Sequence, residues 1–172
     1  MNNFALEIWD DESRYVTFYT VRRENETDSE TDKFYTRFKD DPIYRPALEE
    51  LTALIFDIIG DREGALDAFF RRQENKAAAL PPAKLKSLSL EYPNFPLRLF
   101  CFKVSERIVI LFNGGPKTAG TSQSSERLNF YFQNAQNFAS RISDALRDGD
   151  IQIDKKNNRY LIDFKNSRKI FL

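Results

Sequence analysis

The stretch that decides the fold is Leu97–Val104, LRLFCFKV, followed after Ser105-Glu106 by Arg107–Phe112, RIVILF. Two apolar runs of strand length, joined by two polar residues, read as an antiparallel hairpin. In the first run Arg98 alternates onto the side of Phe100, Phe102 and Val104, and Lys103 falls on the opposite side. In the second, Ile108, Ile110 and Phe112 share one face while Val109 and Leu111 share the other. Apolar residues on both faces place this strand in the middle of a covered sheet. Asn113-Gly114-Gly115-Pro116 reads as its terminator.

Outward from this hairpin, Leu85–Leu90 reads as a third short extended segment. Phe4–Trp9 and Arg14–Val21, separated by Asp10-Asp11-Glu12-Ser13, are rich in aromatic and β-branched residues and read as a β-hairpin, or as one good strand with a short leader. The segment 24–32, ENETDSETD, carries no apolar residue and reads as an acidic surface loop. A short helix is expected over Lys33–Lys39, with Asp41-Pro42 as its stop. From Pro46, apolar residues between Ala47 and Ile59 recur every three to four positions, a buried helix that Gly60 ends. Asp61 then reads as the N-cap of another helix that carries Ala65, Leu66 and Phe69 toward Gln73 and stops before Pro81-Pro82. Downstream, the stripe from Leu128 to Leu146 marks a long helix ending at Asp148-Gly149, and Ile151–Asp154 with Arg159–Phe164 forms a terminal hairpin. The order implies a single α+β domain over residues 1–172, with an antiparallel sheet packed against N-terminal helices, an extra long helix and a C-terminal hairpin.

Composition restricts the chemistry. The 172 residues include no histidine, which excludes imidazole acid–base catalysis, Ser-His-Asp and Cys-His nucleophile systems and His-based zinc sites. The single cysteine, Cys101, lies mid-strand and reads as a small core residue; it fits a reducing, cytoplasmic setting. No run is long and apolar enough to span a membrane, and no signal peptide is expected at Met1. The acidic clusters lack the glycine and terminal glutamate of a calcium loop, so neither a metal nor a small-molecule cofactor is implied. Gly114–Thr118 contains a G-x-K-T string, but Pro116 removes a backbone donor that a phosphate loop would use. Net charge is zero, yet residues 1–75 hold 18 acidic and 10 basic side chains, and residues 76–172 hold 8 and 16. Either the halves neutralise one another within one globule, or the cationic half faces phosphates.

The cationic candidates on and around the expected sheet are Lys84, Lys86, Arg98, Lys103, Arg107 and Lys117. An arginine on the apolar side of a strand needs a partner. For Arg98 that is either a carboxylate of the acidic half, Asp57 or Glu63, or a bound phosphate matched to its planar fork of donors.

Phe95–Phe102 followed by Arg107–Thr118 resembles the centre of the RelE/HigB-type toxins, in the phage-derived-protein-like branch. In that family a strand bearing an arginine among aromatics precedes a strand of the type N-R-I-V-L-L and a G-F-x-K-K-T segment. The likeness covers about residues 85–147, and Pro116 stands where the family has the first lysine. It implies a compact domain with an N-terminal strand, a helical hairpin and an antiparallel sheet. It also implies a toxin of a type II toxin–antitoxin system: an endoribonuclease cleaving mRNA at the ribosome and neutralised by a cognate antitoxin. By position, Arg98, Arg107 and Lys117 correspond to the family's catalytic cations. Arg98 and Arg107 would neutralise the phosphorane as a ribose 2′-OH attacks, Lys117 would serve acid–base or phosphate duty, and Lys84, Lys86 and Lys103 would guide the RNA backbone. The alternative is a non-catalytic module on the same scaffold that docks protein or nucleic acid.

Overall fold

A computed structural model of the chain describes residues 3–72, 76–117 and 122–172. Of the two N-terminal readings the hairpin is the one that forms: β1 (Phe4–Asp10) pairs antiparallel with β2 (Thr17–Arg23). The acidic segment is shorter than its composition suggests. Ser29 caps a helix by accepting the Asp32 N–H, so α1 (Glu30–Phe38) takes the last three of its residues. Glu30 and Asp32 then sit in the first turn, where negative charge suits the helix dipole.

The second helix, α2 (Arg45–Ala53), starts with Pro46 in its first turn. Gly60 does not end it. The backbone continues as a wide-turned π-helix, Leu54–Glu63, and stops at Gly64, whose φ of 81° suits glycine. Gly60 has another role: a Cβ there would lie 2.6 Å from Ser13 Oγ, and its carbonyl accepts the Tyr15 N–H, so the β1–β2 loop rests on the helix at that point. The further helix expected from Asp61 is absent. A single 3₁₀ turn, Asp67–Phe69, leads instead into short strands β3 (Arg71–Arg72) and β4 (Ala78–Leu80); Gln73 lies outside the described residues. The Leu85–Leu90 segment is a small separate hairpin of β5 (Lys84–Leu85) and β6 (Leu90–Glu91) around a 3₁₀ turn.

The deciding hairpin is present. β7 (Leu97–Ser105) pairs antiparallel with β8 (Ile108–Pro116), which runs on through Asn113-Gly114-Gly115-Pro116. Gly114 does not terminate the strand; it lets two backbones touch. A Cβ at Gly114 would lie 1.8 Å from the Arg98 carbonyl oxygen, where the ladder shifts register. Then come α3 (Ser122–Asp148), the terminal hairpin β9 (Ile151–Ile153) with β10 (Leu161–Asp163), and β11 (Ile170–Phe171).

The sheet is mixed. Its order is β11-β1-β2-β8-β7-β4-β3, and β2 runs parallel to β8. An all-antiparallel sheet is therefore corrected at one central pair. Both faces are covered. Val16, Phe18, Leu97, Leu99 and Leu111 pack under Phe34, Leu51 and Ile55 of the N-terminal helices. Tyr19, Val21, Phe100, Ile110 and Phe112 pack under Phe138 and Ile142 of α3, beside Ile151 and Leu161 of the terminal hairpin. The alternation of apolar residues on both sides of β2 and β8 follows from this three-layer arrangement. No helix among the described residues is long and apolar enough to cross a membrane.

Candidate functional site

The six sequence candidates separate into distinct places. Arg98 and Lys117 share one end of the β7–β8 hairpin: Arg98 pairs with Gly115, and the Lys117 N–H reaches the Pro96 carbonyl one step beyond. Alternation sets Lys117 on the side of Gly115 and Arg98, the face covered by α3. Thr118 lies outside the described residues. Arg107 is exposed in the turn at the opposite end of the hairpin, eight residue steps along the chain from Gly115. At ~3.3 Å per residue that separation is about 26 Å. Lys103 lies on the other face, as alternation required, and pairs with Asp67 at 2.8 Å. Lys84 pairs with Glu91 at 3.3 Å within the small β5–β6 hairpin, and Lys86 is exposed beside it. The structure thus places Arg98 and Lys117 at the same end of the hairpin and leaves Arg107, Lys103, Lys84 and Lys86 elsewhere.

Arg98 has neither of the partners considered for it in sequence. No carboxylate of the described residues, Asp57 and Glu63 included, pairs with it. Its Nη1 donates to the carbonyls of Phe95 (2.8 Å) and Leu97 (2.9 Å), which leaves Nε and Nη2 without partners among the described residues. Beside it stands Arg71, which sequence reading placed in a helix. Register lines up Arg71 with Ala79 and Phe100 across three strands, and Arg98 is two residues along from Phe100 on the same face. Arg71 Nε donates at 3.4 Å to the Pro81 carbonyl. Partial burial, and then the charge of Arg71, pull the Arg98 guanidinium down to about 10. Two adjacent cations whose hydrogen bonds among the described residues go to backbone carbonyls form a site complementary to an anion.

Across β8 lies a second feature that sequence did not signal. The parallel ladder ends at Thr20–Leu111, after which β2 stays with β1 and β8 stays with β7. The Thr31 hydroxyl of α1 fills the split, bonding to the Leu111 and Phe112 carbonyls, each at 3.0 Å, and contacting Thr20 Oγ1 at 2.7 Å. A cleft of about 650 Å³ opens there, between α1 and α3. Arg37 reaches into it, with its guanidinium over the Tyr131 ring (4.5 Å) and bonded to Asn113 Oδ1 and to the Gly114 carbonyl (2.7 Å). Burial lowers the Arg37 guanidinium below its usual value. No protein-family model, curated protein or solved structure matches this chain.

Proposed function

We propose that the protein grips a phosphodiester backbone through Arg71, Arg98 and Lys117, and that this grip serves an RNA-cleaving toxin of the RelE/HigB type. The observation that carries the reading is the Arg71–Arg98 pair, two adjacent guanidiniums on one sheet face with no carboxylate paired to either among the described residues. The order of strands, paired helices, antiparallel hairpin and following helix is compatible with that family's domain. In such a mechanism Arg98, supported by Arg71, would neutralise the phosphorane, and Lys117 would act at its edge. A non-catalytic RNA- or protein-binding module is the second reading. It is favoured by Arg107, whose place at the far turn leaves the cluster with two of the three catalytic cations the resemblance implied.

The test is paired. Fluorescence anisotropy with a single-stranded RNA oligonucleotide should show binding that Arg98→Ala weakens about tenfold while Arg107→Ala leaves it within about twofold. Induced expression in cells should arrest growth, with mRNA cleavage, for wild type and not for Arg98→Ala. RNA binding with harmless expression would select the module. Wild-type binding no tighter than that of an Arg71→Ala/Arg98→Ala double variant would overturn the toxin reading and the RNA-binding form of the module.

A further inference from the structure

The cleft between α1 and α3 lies where two adjacent parallel strands send their chains to opposite faces of the sheet. After β2 the chain enters α1, which packs with Phe34 and Phe38 on one face; after β8 it enters α3, which packs with Phe138 and Ile142 on the other. Helices leaving to opposite sides cannot close over the strand ends, so a crevice remains at the carboxyl ends of the parallel pair. In open α/β sheets this crevice is where ligands bind.

The floor of the crevice holds an unused donor. Asn113 is 5% exposed and lines the cleft. Its Oδ1 accepts both from Arg37 and from the Gly114 N–H (2.8 Å), and because both neighbours are donors the amide orientation is fixed. The Nδ2 group therefore points elsewhere, and it has no partner among the described residues. Leaving a buried amide donor open is costly, and a ligand acceptor would recover that cost.

Beside it Arg37 has no carboxylate bonded to it among the described residues, although the nearby Glu30 charge favours its protonated form. Its hydrogen bonds and ring contacts are with neutral groups: an amide oxygen, a backbone carbonyl and the Tyr131 and Phe38 rings. The nearby acidic side chains are otherwise engaged, since Glu26 and Glu30 both hold Lys33, and Glu30 also faces Arg23 at 4.0 Å. Asp28 is exposed at the outer rim. At the mouth, Phe130 is 61% exposed, next to Tyr131 with ring centroids 5.5 Å apart. An apolar ring held open at the lip of a polar cleft is a stacking surface for a planar group.

We propose that this switch-point cleft binds a nucleoside monophosphate, with phosphate oxygens on Arg37 and the Asn113 Nδ2 donor and the base stacked on Phe130. The site shares no residue with the Arg71–Arg98–Lys117 cluster, so it stands whether or not that cluster binds RNA.

Calorimetry on the full chain, with AMP, adenosine and inorganic phosphate as probes, tests it. AMP should bind one per chain, with adenosine and phosphate each at least about tenfold weaker. Asn113→Asp keeps an acceptor for Arg37 and for the Gly114 N–H but replaces the open donor with an acceptor, so the fold survives and AMP affinity should fall at least about thirtyfold. Phe130→Ala, at an exposed position, should weaken AMP about fivefold or more and leave phosphate unchanged. Arg98→Ala should leave AMP affinity unchanged. Absence of saturable AMP binding, or full affinity in Asn113→Asp, overturns the proposal; phosphate binding as tightly as AMP overturns the nucleoside part and leaves an anion pocket.

Discussion

Adjacent glycines in β8 show how much a single Cβ can matter. At Gly114 it would meet the Arg98 carbonyl oxygen at 1.8 Å, whereas at Gly115 its nearest neighbour is a Tyr131 ring carbon at 3.5 Å. Gly114→Ala should therefore cost about 3 kcal/mol or more, and Gly115→Ala less than about 1 kcal/mol, in urea denaturation. Tyr19 makes a different point. Its ring is fully buried, and its hydroxyl accepts the Leu161 N–H at 2.8 Å. Burial raises the phenol from 10.0 to about 12. A group whose folded value is raised contributes stability below its unfolded value and loses it as pH climbs from about 10 to about 12. Wild type should lose about 3 kcal/mol from this group across that window, and Tyr19→Phe should show a correspondingly shallower decline in alkaline denaturation.

At the scale of elements, the terminal hairpin is tied to the far end of the sheet. Arg159, in its turn, donates to Thr17 Oγ1 (3.0 Å) and to the carbonyls of Asp11, Ser13, Arg14 and Val16. One side chain thus satisfies the β1–β2 loop, whose own residues are turned away from any ladder. Arg159→Ala should cost about 2–3 kcal/mol and raise hydrogen exchange across residues 11–16, with α3 unaffected at its centre. Elsewhere, local pattern and element diverge for a clear reason. Gly60 reads as a helix stop because glycine is a poor helix former, yet the helix continues through it, since Ser13 occupies the space a side chain would need. Strands β3 and β4, of two and three residues, are too short to show a period of two, so Arg71 was hidden within an apparent helix.

Across the whole molecule, the charge asymmetry is not cancelled by pairing between halves to any large extent. Among the described residues most bridges stay within a half, as in Glu7–Arg22, Glu30–Lys33 and Lys84–Glu91; Asp67–Lys103 and Glu7–Lys169 cross. The acidic loop pairs through Glu26 with Lys33 and does not reach Arg98. A backbone contacting Arg71, Arg98 and Lys117 releases about three counterions' worth of charge. The logarithm of RNA affinity should then fall with the logarithm of salt at a slope of about −2, flattening to about −0.7 in the Arg71→Ala/Arg98→Ala variant. Anisotropy titrations at several salt concentrations read both slopes.

What the chain determines by itself is local. Alternation in LRLFCFKV and RIVILF sets a hairpin with Arg98 and Lys103 on opposite faces, and the three-to-four spacing sets the buried helices, because period and burial are properties of neighbours in sequence. Tertiary structure decided the rest: the parallel β2–β8 pair, the meeting of Arg71 with Arg98, the distance of Arg107 from both, and the cleft floored by Asn113. Each depends on which strands lie side by side and in which register, and that choice is made by packing two apolar faces at once, between residues far apart in the chain.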